Sequence, residues 1–336
     1  MEDYFRPILI SNTNKPKDAV FLGQGRLWFN SVERLVRNNP SEIVSAKDLP
    51  QECLNRLVDP RRKLAAMDLT NPCIMGVLNV TPDSFSDGGS FEDLTSAVFQ
   101  AETMVQNGAD IIDVGGESTR PGAREISADL EIERTAPVIR TICTKTKVAV
   151  SVDTRKAVVA RAAVVSGASL VNDVSGLTFD PGLAPFCAEE ELPVCVMHSQ
   201  GLPETMQDDP LYDDVVLDVY DFLEDKINRL VRKGIARDRI IADPGIGFGK
   251  TMVHNLALLN KISLFHSLGV PLLLGVSRKG FIGKITKEDV AEARVIGSIS
   301  AALTGVSQGV QIFRVHDVKE TRQAFDMWQT IMFGRE

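Results

Sequence analysis

From residue 72 onward, short apolar runs rich in Val and Ile recur along the chain, each ending in polar residues and glycine. They read CIMGVLNV, ADIIDVGG, VAVSVDT, ASLVNDVSG, LPVCVMH, RIIADPG, PLLLGVSRK and VQIFRVHDV, eight candidate strands. Most of these runs are continuous rather than alternating, as in strands buried on both faces of a parallel sheet. Between them the spacing turns helical. Val216, Val219, Leu223, Ile227 and Leu230 share one face and predict a helix over 213–233, stopped by Gly234. Gly108, Gly167 and Gly269 likewise close predicted helices through 97–107, 156–165 and 256–268. Strand and helix alternating eight times over about 250 residues predict a (β/α)8 TIM barrel rather than an open doubly wound sheet. Residues 1–71 break this rhythm with scattered prolines. They carry one predicted helix around 31–37 and a basic run, Arg61-Arg62-Lys63, that reads as a solvated face. The expectation is an N-terminal extension over 1–71 joined to a barrel over 72–336.

Composition narrows the function classes. No run approaches the roughly 18 apolar residues that span a bilayer. The start, MEDYFRPILI, lacks a secretory leader's basic region and cleavage site. A net charge of −8 disfavours nucleic acid and acidic membranes as partners, so an anionic substrate needs a local basic site. The five cysteines fall in no C-x-x-C spacing, and there is no H-E-x-x-H. That argues against a disulfide framework and structural zinc, and for buried thiols in a reducing cytoplasm.

In a barrel of this kind the site lies at the C-terminal ends of the strands. Those ends carry Asn79, Asp113, Asp153, Asn172, His198, Asp243, Lys279, and Arg314 with His316. Any one of them alone reads as a cap or a loop solvator; the fold gathers all of them around one axis. Arg314, His316 and the Ser277-Arg278-Lys279 cluster come from the last two strands, where barrels often bind phosphate. Asn79 offers a neutral oxygen suited to Mg2+, and Asp153 and Asp243 suit N–H donors or developing positive charge. The pattern calls for a ligand with a polyphosphate at one end and a hydrogen-bonding heterocycle at the other. IIADPGIGFGKT (240–251) imitates a nucleotide phosphate loop, but Pro244 stands where that template needs its first glycine, which sets the ATPase reading aside. The connections TPDSFSDGG (81–89) and GESTRPGA (116–123) combine turn residues with one anchor each, Phe85 and Arg120, and suit either surface turns or a lid over substrate.

In order along the chain, GVLNVTPDSFSDGG, DVGGESTRPGA, SVDT, NDVSG, VMH, DPGIGFGKT, SRK and RVHDV resemble the dihydropteroate synthases from about residue 72 to the C-terminus. The first two stretches are the specific ones. The resemblance implies a barrel enzyme, usually a homodimer, that joins 6-hydroxymethyl-7,8-dihydropterin diphosphate to 4-aminobenzoate in folate biosynthesis. Diphosphate leaves with Mg2+ help in an SN1-like step, and sulfonamides compete as aminobenzoate mimics. It assigns the pterin to Asp153, Asn172, Met197, Asp243 and Lys279, and the diphosphate to Asn79, Thr119, Arg314 and His316. Asn79 also takes the metal. Phe85, Pro121, Phe248, Ser277 and Lys279 shape the aminobenzoate pocket, and Asp153, Lys279 and Arg314 carry the chemistry.

Gly280 departs from the pattern, standing where many members of the family carry Ser. Two other enzyme readings share part of the constellation. A pterin-binding methyltransferase acting on a reduced folate could use Asp153, Asn172 and Asp243, but has no use for Thr119, Arg314, His316 or the STRPG loop. A Schiff-base aldolase could use Lys279, with Arg278 beside it lowering its pKa. A non-catalytic pterin-binding module would be marked by loss of the two loop motifs, and both are intact.

Overall fold

The chain begins with antiparallel strands, in place of the helix that its spacing predicts at 31–37. The computed structural model describes residues 3–12, 14–23, 25–61, 63–81, 91–118, 125–201 and 209–334, with 91–93 as backbone alone. The N-terminal segment builds β1 (Asp3–Pro7), β2 (Val20–Phe21), β3 (Trp28–Phe29), β4 (Ser31–Val36), β5 (Glu42–Ser45) and α1 (Gln51–Val58). β4 lies between β1 and β5 and pairs with both. Val32 and Leu35 stand three apart, a spacing that a helix also accepts. Pairing on both edges over Val32–Arg34 satisfies the middle of the β4 backbone, and the β-branched Val32 and Val36 favour that outcome. Phe29, Val32 and Leu57 form the wholly buried centre of this unit.

The barrel follows as β6 (Cys73–Asn79), α2 (Phe91–Gln106), β7 (Ile111–Gly115), α3 (Ala128–Lys145), β8 (Ala149–Asp153), α4 (Ala157–Val165), β9 (Leu170–Asp173), α5 (Leu183–Glu189), β10 (Val194–Met197), α6 (Val215–Arg232), β11 (Ile240–Asp243), α7 (Met252–Asn260), β12 (Leu273–Leu274), α8 (Gly280–Thr286), α9 (Val295–Ser307), β13 (Ile312–Val315) and α10 (Val318–Phe333). The parallel order is β11-β10-β9-β8-β7-β6-β13-β12. A parallel bridge between Ala242 and Leu272 brings the two ends together, with Ala242 N donating to Pro271 O at 2.9 Å. Gly108, Gly167, Gly234 and Gly269 all take the left-handed φ that a helix stop requires. The helix predicted over 256–268 is divided: α7 starts earlier, on a Thr251–His254 capping box, and a 3-10 turn over Ile262–Leu268 completes it.

The N-terminal unit is fastened to the outside of the barrel. Tyr4 and Leu35 join the barrel's own apolar cluster. Arg37 bridges Asp218 and Asp221 of α6 at 2.7 and 2.6 Å, Arg56 reaches Glu224, and Lys261 reaches Glu33. Leu64, Met67 and Leu69 go further: they pack with Met75, Ile111, Leu170 and Ile312, so the last stretch before residue 72 floors the barrel interior. Arg61 is not the solvated residue its basic run suggested, because its guanidinium donates to Arg56 O at 2.7 Å and His266 O at 3.1 Å. Arg62 lies outside the described residues, and Lys63 is exposed.

Leu57→Ala should therefore lower stability by about 2–5 kcal/mol, the cost of a large-to-small change with its cavity. Chemical denaturation followed by circular dichroism measures it; a loss below about 1 kcal/mol would mean that α1 adds little to the fold.

Candidate active site

Alternate residues of a barrel strand point inward, so each strand contributes successive rungs. Above the apolar rung of Ile111, Leu170 and Ile312, the next inward positions are Asp113, Ser151, Asn172 and Arg314. These four side chains form one network. Asp113 is fully buried and accepts from Ser151 Oγ at 2.6 Å, Asn172 Nδ2 at 3.0 Å and Arg314 Nε at 2.7 Å. Arg314 Nη2 also donates to Asp153 Oδ2 at 2.7 Å, which leaves Nη1 outside both ion pairs. Asp153 Oδ1 is buried and has no hydrogen-bond partner among the described residues. Burial pushes the Asp153 carboxyl above the usual carboxylate range, against the pull of Arg314 and with help from the charges of Asp113 and Asp173. Burial alone would lower the Arg314 guanidinium, but Asp113 and Asp153 hold it above its ordinary value.

Asp243 ends β11 in register with Met197 at the end of β10. Its Oδ1 accepts from Gly245 N at 2.7 Å, and burial raises its carboxyl despite that bond and the nearby Lys279, Lys250 and Arg314 charges. The three glycines that follow are obligatory here. A Cβ on Gly245 (φ +67°) would fall 1.9 Å from His198 O, and one on Gly249 (φ +60°) would fall 2.4 Å from Gln200 O. Gly247 (φ +84°) lies under Lys279, whose Nζ stands 4.2 Å from the Phe248 ring centre. A phosphate-loop lysine would reach outward to nucleotide; Lys250 instead turns inward, with Nζ 2.8 Å from His198 Nδ1 and donating to Phe248 O at 3.0 Å. Burial lowers it to about 7. The strand-end His198 is thus engaged with Lys250 and stacks edge-on to Phe222.

Lys279 is half-buried, and burial lowers it to about 8, which Asp243 opposes and Arg314 reinforces. Arg278 has no part in that shift. It turns away from the mouth to Asp317 at 2.6 Å, so the expected Ser277-Arg278-Lys279 cluster is split. Ser277 Oγ pairs with His316 Nδ1 at 3.0 Å and accepts from His316 N at 3.2 Å. Asn79 pairs across β7 with Gly115, whose other neighbour in register is Asp153; a Cβ on Gly115 would lie 3.7 Å from both Asn79 Oδ1 and Asp153 Oδ2. Phe85, Thr119, Arg120 and Pro121 lie outside the described residues. Among the described residues no group of three or more His, Cys, Asp or Glu could hold a metal. Asn79 beside Asp153 fits Mg2+, an ion content with few protein oxygens when substrate phosphate supplies the rest.

Asp113 received no role from the sequence beyond its strand end, yet it is the hub. The stem of the second loop was missed as well: Lys156 bridges Glu117 and Glu131 at 2.6 and 2.8 Å, and Arg155 joins Glu117 at 2.6 Å. No sequence signal marks these pairs, because their partners sit 25 to 39 residues apart.

A closed barrel with acids, an arginine and a lysine at its strand ends defines a small-molecule enzyme of the alpha/beta barrel class. The family of pterin binding enzymes matches residues 75–316. Dihydropteroate synthase of Escherichia coli K12 is 46% identical over 271 residues, 81% of this chain and 95% of the relative. A dihydropteroate synthase of Yersinia pestis, solved with a sulfonamide drug complex, superposes with a TM-score of 0.75 at 45% identity over 79% of this chain and 96% of its own. That of Xanthomonas albilineans in complex with 7,8-dihydropteroate gives 0.73 at 39% identity over 80% and 96%. The chain belongs to the pterin binding enzymes and, within them, to the dihydropteroate synthases.

Asp113→Asn keeps the shape of the hub and removes its charge. It should lower kcat/KM by roughly 10- to 100-fold, the scale of one charged hydrogen bond of about 1.5–3 kcal/mol. Steady-state kinetics beside a thermal melt test this; wild-type kinetics would remove Asp113 from the working site.

Proposed function

We propose that the barrel mouth condenses 6-hydroxymethyl-7,8-dihydropterin diphosphate with 4-aminobenzoate, giving 7,8-dihydropteroate and diphosphate. The observation that carries the reading of the site is Asp153: one oxygen is held by Arg314, while the other is buried with no hydrogen-bond partner among the described residues and can take a ring N–H. Asp243 accepts from the pterin's amino and ring N–H groups, Asn172 meets the ring with its orientation fixed by Asp113, and Met197 and Lys279 enclose it. Arg314 Nη1 and His316 face the diphosphate, with Asn79 and, from the resemblance, Thr119. Phe248, Ser277 and Lys279 border the aminobenzoate, together with Phe85 and Pro121 from the two loops. Arg278 is left out of this set because Asp317 holds it.

The methylene C–O bond breaks and its electron pair leaves with diphosphate. Positive charge then grows on the pterin methylene, where the Asp153 carboxylate stabilises it and Arg314 steadies the departing anion. The aryl amine attacks this carbon, forms the C–N bond and releases its proton to diphosphate or water. Asn79 would help hold Mg2+, which would supply charge neutralisation for the departing diphosphate. The barrel over 72–336 is the catalytic unit, and 1–71 an extension of it. Among the described residues no helix is long and apolar enough to cross a membrane. We place the enzyme in the cytoplasm and read it as a homodimer. α9 packs on both α7 and α8, and these three helices expose Ile296 (α9), Val253 and Leu256 (α7) and Ile285 (α8), apolar side chains suited to covering by a second copy.

Purified chain incubated with the dihydropterin diphosphate, aminobenzoate and Mg2+ should yield dihydropteroate; no product would overturn the proposal. In the same assay Asp153→Ala should abolish turnover while largely sparing diphosphate binding. Arg314→Ala should weaken substrate binding by ~2–3 kcal/mol by calorimetry.

The pH profile of kcat/KM should be bell-shaped. The ionised Asp153 is the working form and its pKa is raised, so the acid limb should lie above the usual carboxylate value of about 4. The Lys279 ammonium is the working form and its pKa is lowered to about 8, so activity should fall as pH rises through that value. A profile flat from pH 5 to 9, on the scale of ordinary assays, would exclude both groups.

A further inference from the structure

Phe248 stands between two glycines, and neither can steady it by side-chain contact. Gly247 (φ +84°) and Gly249 (φ +60°) both take the left-handed conformation, so the direction of the ring depends on what pins the backbone beside it. Three side chains do so. Asn255 Oδ1 accepts from Gly247 N at 2.7 Å, Lys250 Nζ donates to Phe248 O at 3.0 Å, and Tyr212 Oη donates to Gly249 O at 2.7 Å. Asn255 belongs to α7, directly after the turn, and Lys250 to the turn itself. Tyr212 differs from both: it comes from the connection between β10 and α6, 37 residues away in sequence.

The Tyr212 ring is itself held. It packs near His198, with 5.9 Å between ring centres, and edge-on to His254 at 5.0 Å. A carbonyl oxygen can only accept, so the phenol proton points at Gly249 O. Burial raises the phenol above its ordinary value, with help from the Asp218 charge, so that proton stays in place. We propose, resting on the assignment of Phe248 to the aminobenzoate, that Tyr212 is a positioning residue for that substrate: through Gly249 it holds the Phe248 ring against the Lys279 ammonium. The pterin side has a separate hold. Asp243 lies ahead of the three glycines, on β11 in register with Met197, and its carboxylate is fixed by Gly245 N.

The test compares Tyr212→Phe, which removes only a hydroxyl, with Tyr220→Phe, which removes the hydroxyl that Ser267 meets beside the N-terminal unit. Thermal melts check that both full-length variants fold. In Tyr212→Phe the KM for aminobenzoate should rise about three- to tenfold, the scale of one neutral hydrogen bond, while kcat and the KM for the dihydropterin diphosphate stay close to wild type. Tyr220→Phe should move none of them. In a Phe248→Leu background the Tyr212→Phe change should cost less, because its effect passes through the ring. Amide hydrogen exchange followed by mass spectrometry reads the turn without turnover, and exchange over 244–251 should quicken in Tyr212→Phe but not in Tyr220→Phe. An unchanged aminobenzoate KM, an equal rise in both KM values, a full effect in Phe248→Leu, or unchanged exchange would each overturn the proposal. An aminobenzoate KM untouched by Phe248→Leu itself would overturn the assignment of Phe248 and the role of Tyr212 with it. Absence of product from the wild type would instead overturn the proposed reaction, and exchange would still decide whether Tyr212 holds the turn.

Discussion

Two carboxylates shut inside a barrel need a cation between them, and Arg314 is that cation. Its planar fork reaches Asp113 through Nε and Asp153 through Nη2, both at 2.7 Å, a geometry that lysine's single ammonium could not supply. Asp113 in turn fixes Ser151 and Asn172, so strands β7, β8, β9 and β13 are locked in one plane of hydrogen bonds. The balance of that plane is uneven. Arg314 is held charged by two acids, whereas Asp153 has half an arginine and a buried oxygen with no partner among the described residues, and its carboxyl rises. A surplus of negative potential therefore stands where a heterocycle brings N–H groups and where its methylene gains positive charge. Substrate recognition and stabilisation of the cation come from the same shortage of countercharge.

The opposite side of the mouth is built by backbone rather than by charge. Gly245, Gly247 and Gly249 let the turn after β11 lie against the His198–Gln200 segment and under Lys279 at distances that no side chain permits. Lys250 stitches that turn to His198, so the connections after β10 and β11 act as one piece. Phe248 is carried on this piece, with the Lys279 ammonium over its ring. The run that imitates a phosphate loop thus serves to present Asp243 and Phe248, and its lysine works as a strut.

The strand ends were legible because a parallel barrel imposes its own reading rule. Any polar residue that closes an apolar run must arrive at the rim, and Asp153, Asn172, Asp243 and Arg314 did. The left-handed glycines after the helices were legible for a similar local reason. What stayed hidden depended on partners distant in sequence. Asp113 looks like any other strand-end acid until Ser151, Asn172 and Arg314 close around it. Arg278 and Lys279 are neighbours that point to different worlds, one to Asp317 and one over the ring of Phe248. Val32 and Leu35 carry a spacing that fits either a helix or a strand, and only the flanking β1 and β5 decide between them. Arg61 reads as solvated because a run of three basic residues cannot reveal the His266 carbonyl that one of them meets.

The floor of the barrel bears on its electrostatics. Leu64, Met67 and Leu69 close the interior from below, and Met75, Ile111, Leu170 and Ile312 fill the rung above them. Water is thereby kept from beneath Asp113, and the medium under the charged plane is apolar. In such a medium the pull of Arg314 on its two acids is stronger than at a surface, and so is the penalty on the unmatched Asp153 oxygen. The stretch just before the first barrel strand is in this sense part of the active site's construction. It touches none of the groups at the rim, yet it sets the dielectric in which they act.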